Sequence, residues 1–185
     1  MNKRELRKQM KELRLSLDKD IRLAFDKEIY DKTYELIKPY DTVLCYVSLG
    51  IEVDTRMLLA RLFEDKNKRV LVPKCVNGTN IMHFYPVSCF DDLESGSYGI
   101  EEPKEGIAAV SSFGDNCCCI MPALCYDEWG YRVGFGKGYY DRFLSGFGGK
   151  RIGICYSVCM VDKIDNDEND IKAEIIVTDK KISYT

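Results

Sequence analysis

The chain has one histidine, one tryptophan and five prolines among its 185 residues. A single histidine excludes a histidine-rich zinc site. The charges nearly balance, with 27 Lys and Arg against 30 Asp and Glu. This argues against a nucleic-acid partner, because nucleic-acid-binding domains are usually strongly basic. No apolar run approaches the ~18 residues of a membrane span. The charged segment after Met1 has no apolar core, so we expect neither a secretory signal nor a membrane partner.

Cysteine, in contrast, is abundant, with nine residues. An odd number without regular spacing argues against a disulfide framework and for a reducing compartment, so we expect a cytoplasmic protein. We interpret most of these thiols as small buried hydrophobic groups.

The length and the 45% of apolar residues predict one soluble domain over residues 1–185. Buried strands that alternate with helices predict an α/β fold: a three-layer, Rossmann-like, mainly parallel sheet with one β-hairpin, helices on both faces and an N-terminal helical pair. The predicted helices are one with an apolar stripe from Leu6 to Leu17, one from the Asp18 cap to about Ile37, one from the Asp54 cap to about Glu64, and one over Tyr139–Leu144. The predicted strands are Thr42–Leu49, Lys68–Val76, its hairpin partner Ile81–Val87, Asn116–Leu124, Arg151–Ser157 and Glu174–Asp179, with Phe90–Gly106 as a long loop.

The most unusual stretch is a glycine-rich segment, residues 122–144, with the sequence PALCYDEWGYRVGFGKGYYDRFL. Its glycines let the backbone approach a ligand closely, and Arg132 and Lys137 add positive charge. The pattern is neither a Walker A loop nor G-x-G-x-x-G. From the residues alone, a phosphate cradle and a flexible strand-to-helix connection are equally good interpretations.

The segment resembles the signature of the 5-formyltetrahydrofolate cyclo-ligase family, roughly P-G-L-x-F-D-x-x-G-x-R-[LV]-G-x-G-x-G-Y-Y-D. Only Ala123 and Tyr126 depart from it, and both changes are mild. Other family elements follow in order along nearly the whole chain. They are K-x-x-L-R at residues 3–7, E-V-D-T at 52–55, Y-G-I-E-E-P at 98–103, with Glu101 where proline is common, and N-D at 169–170.

The resemblance implies conversion of 5-formyltetrahydrofolate and ATP to 5,10-methenyltetrahydrofolate, ADP and phosphate, with Mg²⁺ as the cofactor. It implies that the formyl oxygen attacks the γ-phosphoryl group to give a phosphorylated imidate, which N10 of the folate then closes. Phosphoryl transfer needs positioning and charge neutralisation, which glycine amides, Arg, Lys and a metal supply without a histidine. The implied partners are these two small molecules, and we expect a monomer.

The resemblance also assigns site residues. Arg132, Lys137 and Tyr139 are the predicted catalytic residues. The predicted ATP-binding residues are Lys3, Arg4, Arg7, Arg132, Gly134, Phe135, Gly136, Lys137, Gly138, Tyr139 and Tyr140. The predicted folate-binding residues are Val47, Glu52, Tyr98, Phe135, Gly136, Lys137, Gly138 and Tyr139. The predicted Mg²⁺ ligands are Asp141 and Asp170, because hard oxygen ligands suit this ion.

Each assignment has a structural alternative. Lys3 and Arg7 could form a solvated basic helix face, Val47 could be core, and Asp141 could complement the helix dipole. Glu52 could be an ordinary residue before a helix, although a carboxylate can pair with the N–H groups of a pterin. Two other functions stay open: a phosphosugar isomerase or CoA transferase on a related architecture, and a folate- or nucleotide-binding protein without turnover.

Overall fold

The computed structural model describes residues 1–76, 78–96 and 99–185 of the chain. The described helices are α1 (Lys3–Ser16), α2 (Lys19–Ile37), α3 (Arg56–Glu64) and α4 (Tyr139–Leu144). The strands are β1 (Thr42–Cys45), β2 (Arg69–Cys75), β3 (Met82–Val87), β4 (Leu93–Ser95), β5 (Glu101–Pro103), β6 (Cys117–Met121), β7 (Cys125–Tyr126), β8 (Arg132–Val133), β9 (Lys150–Ile154), β10 (Ile175–Val177) and β11 (Ile182–Tyr184). Short 3₁₀ turns lie at Phe90–Asp92 and Ser157–Cys159.

The main sheet has seven strands in the order β11-β10-β9-β6-β1-β2-β3. Its five central strands, β10 to β2, are parallel, while β3 pairs antiparallel with β2 and β11 pairs antiparallel with β10. Strands β1 and β6 are buried along their whole length, as expected for parallel strands covered on both faces. The predicted α/β class, the mainly parallel sheet and the β2–β3 hairpin are confirmed.

The helix ends follow local sequence signals. Asn2 and Glu5 form a capping box at the start of α1. The Asp18 carboxylate accepts the N–H groups of Asp20 and Ile21 at the start of α2. Both caps supply acceptors to backbone N–H groups that the first turn of a helix leaves without a partner.

The helices pack on the sheet and on the short strands. Helix α1 contacts β8, α2 contacts α3 and β10, α3 contacts β2, and α4 contacts β3. An aromatic cluster fixes α4, since the Phe143 ring lies 4.5 Å from that of Phe84 on β3 and 5.5 Å from that of Phe113. In the described part of the chain no helix combines the length and apolar character that a membrane crossing requires.

Several predicted boundaries are wrong. Strand β1 ends at Cys45 and not at Leu49, because the chain then leaves the sheet for a turn in which the Thr55 hydroxyl donates to the Tyr46 carbonyl at 2.7 Å. Helix α3 begins after Thr55, although the Asp54 carboxylate still accepts the N–H group of Arg56 at 2.8 Å. Residues 90–106 are not only loop, since β4 and β5 pair there. The turn predicted at Asn77 lies outside the described residues.

The thiols confirm their predicted packing role. All nine cysteines are free. Cys89 is exposed and Cys75 is half-buried, while the other seven are buried. Most of these lie on or beside the central strands, where a small apolar side chain suits the close spacing of a covered parallel sheet.

Candidate active site

The candidate site lies beyond the carboxyl ends of β1 and β6, which are neighbours in the sheet. The chain after β1 leads to Glu52, and the chain after β6 leads through β7 and β8 to a glycine loop, residues 134–138, which immediately precedes α4. Open α/β sheets bind ligands at this edge. Sequence-predicted residues from two distant parts of the chain therefore meet at one place.

The glycine loop has the backbone geometry of a close-contact loop. Gly136 and Gly138 have φ angles of 98° and 69°, which only glycine adopts readily. Among the described residues, the backbone N–H groups of residues 135–138 have no hydrogen-bond acceptor. The loop therefore offers unpaired donors to an anion.

Helix α1 brings positive charge to this loop. The Arg7 Nε donates to the Gly134 carbonyl at 2.9 Å, and a β-carbon at Gly136 would lie 3.3 Å from the same nitrogen. The basic face of α1 thus docks on the glycine loop and is not simply solvated. Lys11, also on α1, places its ammonium 5.7 Å from the centre of the exposed Phe135 ring.

Lys137, at the centre of the loop, is exposed. Within the described ranges its ammonium makes no ion pair, so its charge is available to a ligand. Arg142 on α4 donates to the Lys137 carbonyl at 3.0 Å and would contact any β-carbon at Gly138. No sequence pattern singled out Arg142.

Arg132 lies on β8 and not in the glycine loop. It is 7% exposed. Its guanidinium donates to Asp141 Oδ1 at 2.8 Å and to the Ile171 carbonyl at 2.5 Å. Its contacts are therefore with the protein, and its predicted contact with the transferring phosphoryl group stays a prediction.

The two predicted metal ligands, Asp141 and Asp170, line one open groove of about 540 Å³, which we call the acidic groove. Its lining residues are Gly138, Asp141, Arg142, Ser145, Asp167, Glu168, Asn169, Asp170 and Ile171. Asp170 Oδ2 accepts the ammonium of Lys3 and the N–H of Asp167. No described donor reaches Oδ2 of Asp141 or Oδ1 of Asp170.

These two carboxylates fit a Mg²⁺ ion that is also held by phosphates, because Mg²⁺ commonly takes one or two carboxylates beside a nucleotide. They do not form a complete metal site by themselves. In the described ranges no group of three or more His, Cys, Asp or Glu residues is placed to hold a metal.

On the folate side, Glu52 Oε2 accepts the N–H of Leu49 at 2.8 Å. Burial raises the pKa of the Glu52 carboxyl above its ordinary value, although this hydrogen bond opposes the shift. Val47 is 6% exposed and belongs to the hydrophobic core, which agrees with the structural alternative. Tyr98 lies outside the described residues.

The two tyrosines at the start of α4 have different surroundings. The Tyr139 hydroxyl donates to the Thr79 carbonyl at 3.1 Å, which ties the glycine loop to the β2–β3 hairpin. The Tyr140 hydroxyl is buried. Arg4 is exposed, and within the described ranges its side chain makes no hydrogen bond or ion pair with the glycine loop. Thr79 had no signal in the sequence.

Sequence reasoning also missed Arg14, although it belongs to a basic stripe of α1 formed by Lys3, Arg7, Lys11 and Arg14. Arg14 is 2% exposed. Its guanidinium donates to the carbonyls of Ile51, Ala123 and Leu124 at 3.0, 2.7 and 2.9 Å. This residue fixes α1 against both loops that form the site.

A glycine loop with unpaired amides, flanked by Lys and Arg at the carboxyl edge of a parallel sheet, is typical of an α/β protein that binds a phosphorylated or otherwise anionic ligand. Comparison with known proteins makes this class specific. Residues 1–179 match the model of the 5-formyltetrahydrofolate cyclo-ligase family. The chain therefore belongs to this family.

Individual relatives agree. A probable 5-formyltetrahydrofolate cyclo-ligase of Caenorhabditis elegans is 28% identical over 95% of this chain and 91% of its own length. The 5-formyltetrahydrofolate cyclo-ligase of Escherichia coli K12 is 28% identical over 81% of this chain and 84% of its own. The structure of Aquifex aeolicus 5,10-methenyltetrahydrofolate synthetase superimposes with a TM-score of 0.82 at 31% identity, over 100% of this chain and 93% of the other.

The predicted family, enzyme class and fold are confirmed by these matches. Family membership supports conversion of 5-formyltetrahydrofolate to methenyltetrahydrofolate. It also decides against a phosphosugar isomerase or CoA transferase.

Proposed function

We propose that the protein converts 5-formyltetrahydrofolate and ATP to 5,10-methenyltetrahydrofolate, ADP and phosphate, with Mg²⁺, as a cytoplasmic monomer. The observation that carries the ATP requirement is the docking of α1 on the glycine loop. It gathers unpaired N–H groups, Arg7 and the exposed Lys137 around one position, with the acidic groove beside it.

The chemistry needs an activated formyl group, because an amide-like carbonyl is a poor electrophile. The formyl oxygen attacks the γ-phosphorus of ATP, the new O–P bond forms, and the bond from phosphorus to the bridging oxygen of ADP breaks. N10 then attacks the formyl carbon and loses its proton to solvent, and phosphate leaves with the former formyl oxygen. The ring closes as the methenyl product.

The protein's own contribution is positioning and charge. The N–H groups of residues 135–138 and the charges of Arg7 and Lys137 hold the phosphates. Glu52 accepts N–H groups of the pterin, which orients the formyl group toward them. Tyr139, tied to Thr79, fixes the loop against the hairpin.

Asp141 and Asp170 would hold Mg²⁺, which when bound neutralises charge on the nucleotide phosphates. Arg132 acts on this site through Asp141. Its guanidinium donates to Oδ1 of Asp141, so Oδ2 remains available to the metal ion. Lys3 pairs with Asp170 in the present arrangement. Because a bound nucleotide adds negative charge there, we expect Lys3 to be shared between Asp170 and a phosphate.

The direct test follows the methenyl absorbance in the near ultraviolet with 5-formyltetrahydrofolate, Mg²⁺ and ATP. We expect a signal that requires ATP. Substrate carrying ¹⁸O in the formyl group should release labelled phosphate, because the formyl oxygen leaves with phosphorus. Unlabelled phosphate would refute the phosphorylated intermediate, and turnover without ATP would refute the proposed function. A folded protein that binds folate without turnover would be the non-catalytic alternative.

Lys137→Ala should lose at least about a hundredfold in turnover, since a charge aimed at a transferring phosphoryl group is typically worth that much. Its melting temperature should not change, because the side chain is exposed and makes no described contact. Lys66→Ala, another exposed lysine on a loop, is the matched control and should retain full activity. Equal activity of the two variants would remove Lys137 from the mechanism.

A further inference from the structure

The Tyr140 hydroxyl is a buried polar group with no hydrogen-bond partner among the described residues. Buried hydroxyls are normally paired, because an unpaired one loses its bonds to water without replacement. The other tyrosines buried near the sheet obey this rule. The Tyr126 hydroxyl donates to the Met121 carbonyl at 3.0 Å, and the Tyr156 hydroxyl donates to Asp26 at 2.7 Å.

The surroundings of the Tyr140 hydroxyl indicate what it can bind. The titratable groups near enough to influence it are the Cys45 and Cys119 thiols, the Glu52 carboxylate and the Arg132 guanidinium. Burial raises the pKa of the Tyr140 hydroxyl well above its ordinary value. The hydroxyl therefore stays protonated at neutral pH and is a hydrogen-bond donor without an acceptor.

Glu52 supplies the complementary feature. Its Oε2 is engaged by the Leu49 N–H, but no described donor reaches its Oε1. Arg132 does not fill this need, since its described hydrogen bonds go to Asp141 and to the Ile171 carbonyl and none reaches Tyr140 or Glu52. The chain therefore leaves an unpaired donor on Tyr140 and an unpaired acceptor on Glu52, the carboxylate whose charge acts on that hydroxyl.

We propose that Tyr140 and Glu52 together recognise the pyrimidinone ring of the folate, with the Tyr140 hydroxyl donating to the ring carbonyl while Glu52 accepts the neighbouring ring N–H. The edge of this ring presents N–H donors beside one carbonyl acceptor, which matches one carboxylate beside one hydroxyl. Tyr140 then belongs to the folate end of the site and not to the nucleotide end predicted from the sequence. This inference rests on the proposed function.

The test compares Tyr140→Phe with Tyr126→Phe, a matched loss of one buried hydroxyl. Tyr140→Phe should raise the KM for 5-formyltetrahydrofolate about tenfold, as expected for one hydrogen bond. The KM for ATP should stay within about twofold. The melting temperature of the free enzyme should not fall, because no protein bond is lost. Tyr126→Phe should show the reverse: a lower melting temperature and an unchanged KM for folate.

Three results would overturn the inference. A raised KM for ATP with an unchanged KM for folate would place the hydroxyl at the nucleotide. A lower melting temperature of Tyr140→Phe with both KM values unchanged would show that the hydroxyl has a structural partner. No change in either property would show that it contacts no substrate.

Equilibrium binding of 5-formyltetrahydrofolate without ATP separates this inference from the proposed function. If the wild-type protein binds folate but does not turn it over, the proposed function fails, while about tenfold weaker binding by Tyr140→Phe would still support the inference. If the wild-type protein does not bind 5-formyltetrahydrofolate at all, the inference fails as well.

Discussion

Replacement of Arg14 by methionine tests how the N-terminal helix is held at the active site. The Arg14 guanidinium is buried, donates to the carbonyls of Ile51, Ala123 and Leu124, and lies 5.1 Å from the centre of the Tyr156 ring. Methionine fills much of the volume but offers no donor. The variant therefore leaves three carbonyl groups without this partner.

The magnitude follows from these contacts. Hydrogen bonds to a charged group contribute about 1.5–3 kcal/mol each, so three contribute about 5–9 kcal/mol. Burial of the charge costs several kcal/mol, and Nε of Arg14 is buried without a partner. We expect a net loss of about 2–4 kcal/mol in the free energy of unfolding. For a chain of this size that lowers the melting temperature by about 5–15 °C.

We expect the variant to bind ATP more weakly. Lys3 and Arg7 lie on the same helix as Arg14, so a loosened α1 should raise the KM for ATP more than the KM for folate. Thermal unfolding and steady-state kinetics measure the two effects. Lys8→Met, an exposed position on α1, is the control and should change neither. A loss of less than about 2 °C for Arg14→Met would refute the reasoning, because the carbonyls would then have found other donors.

Two further predictions concern carboxylates. Asp141→Asn should raise the Mg²⁺ concentration for half-maximal activity about tenfold, with little change in folate affinity, because a neutral amide binds this ion poorly; an unchanged Mg²⁺ titration would count against the assignment. Asp26→Asn should leave stability at neutral pH unchanged or higher, since burial raises the pKa of the Asp26 carboxyl above 3.8. Between the unfolded and folded pKa values the folded state binds more protons, so this residue's contribution to stability falls as pH rises. Urea unfolding of both proteins across that range should show the wild type losing stability relative to Asp26→Asn as pH rises; a steeper fall in the variant would contradict this.

The parts of the fold that sequence predicted best carry local signals. The Asp18 cap and the end at Ile37 define α2, and α4 occupies the predicted Tyr139–Leu144. Strands β7, β8 and β11 were missed because two or three residues show no periodicity. Their existence depends on partners elsewhere in the chain, such as the pairing of β11 with β10, and no local pattern contains that information.

The sequence predicted which segments form the candidate site, but it did not predict which charged side chains are free to bind a ligand. Lys3, Arg7 and Arg14 all lie on the basic stripe of α1, so their spacing cannot separate their roles. Their roles differ because the folded chain places different hydrogen-bond acceptors around each of them. Arg14 donates to three backbone carbonyls more than thirty residues away in sequence, so its described hydrogen bonds are with the protein itself. Arg7 meets one carbonyl beside unpaired amides.

The same reasoning distinguishes the two cations of the glycine-rich segment. Arg132 was assigned to the phosphoryl group together with Lys137, but its guanidinium is engaged by Asp141 and the Ile171 carbonyl, and an ion pair that is nearly buried on one side is costly to break. Lys137 has no such partner in the described ranges. We therefore infer that Lys137 and Arg7 neutralise the transferring phosphate, while Arg132 orients the carboxylate that would hold Mg²⁺.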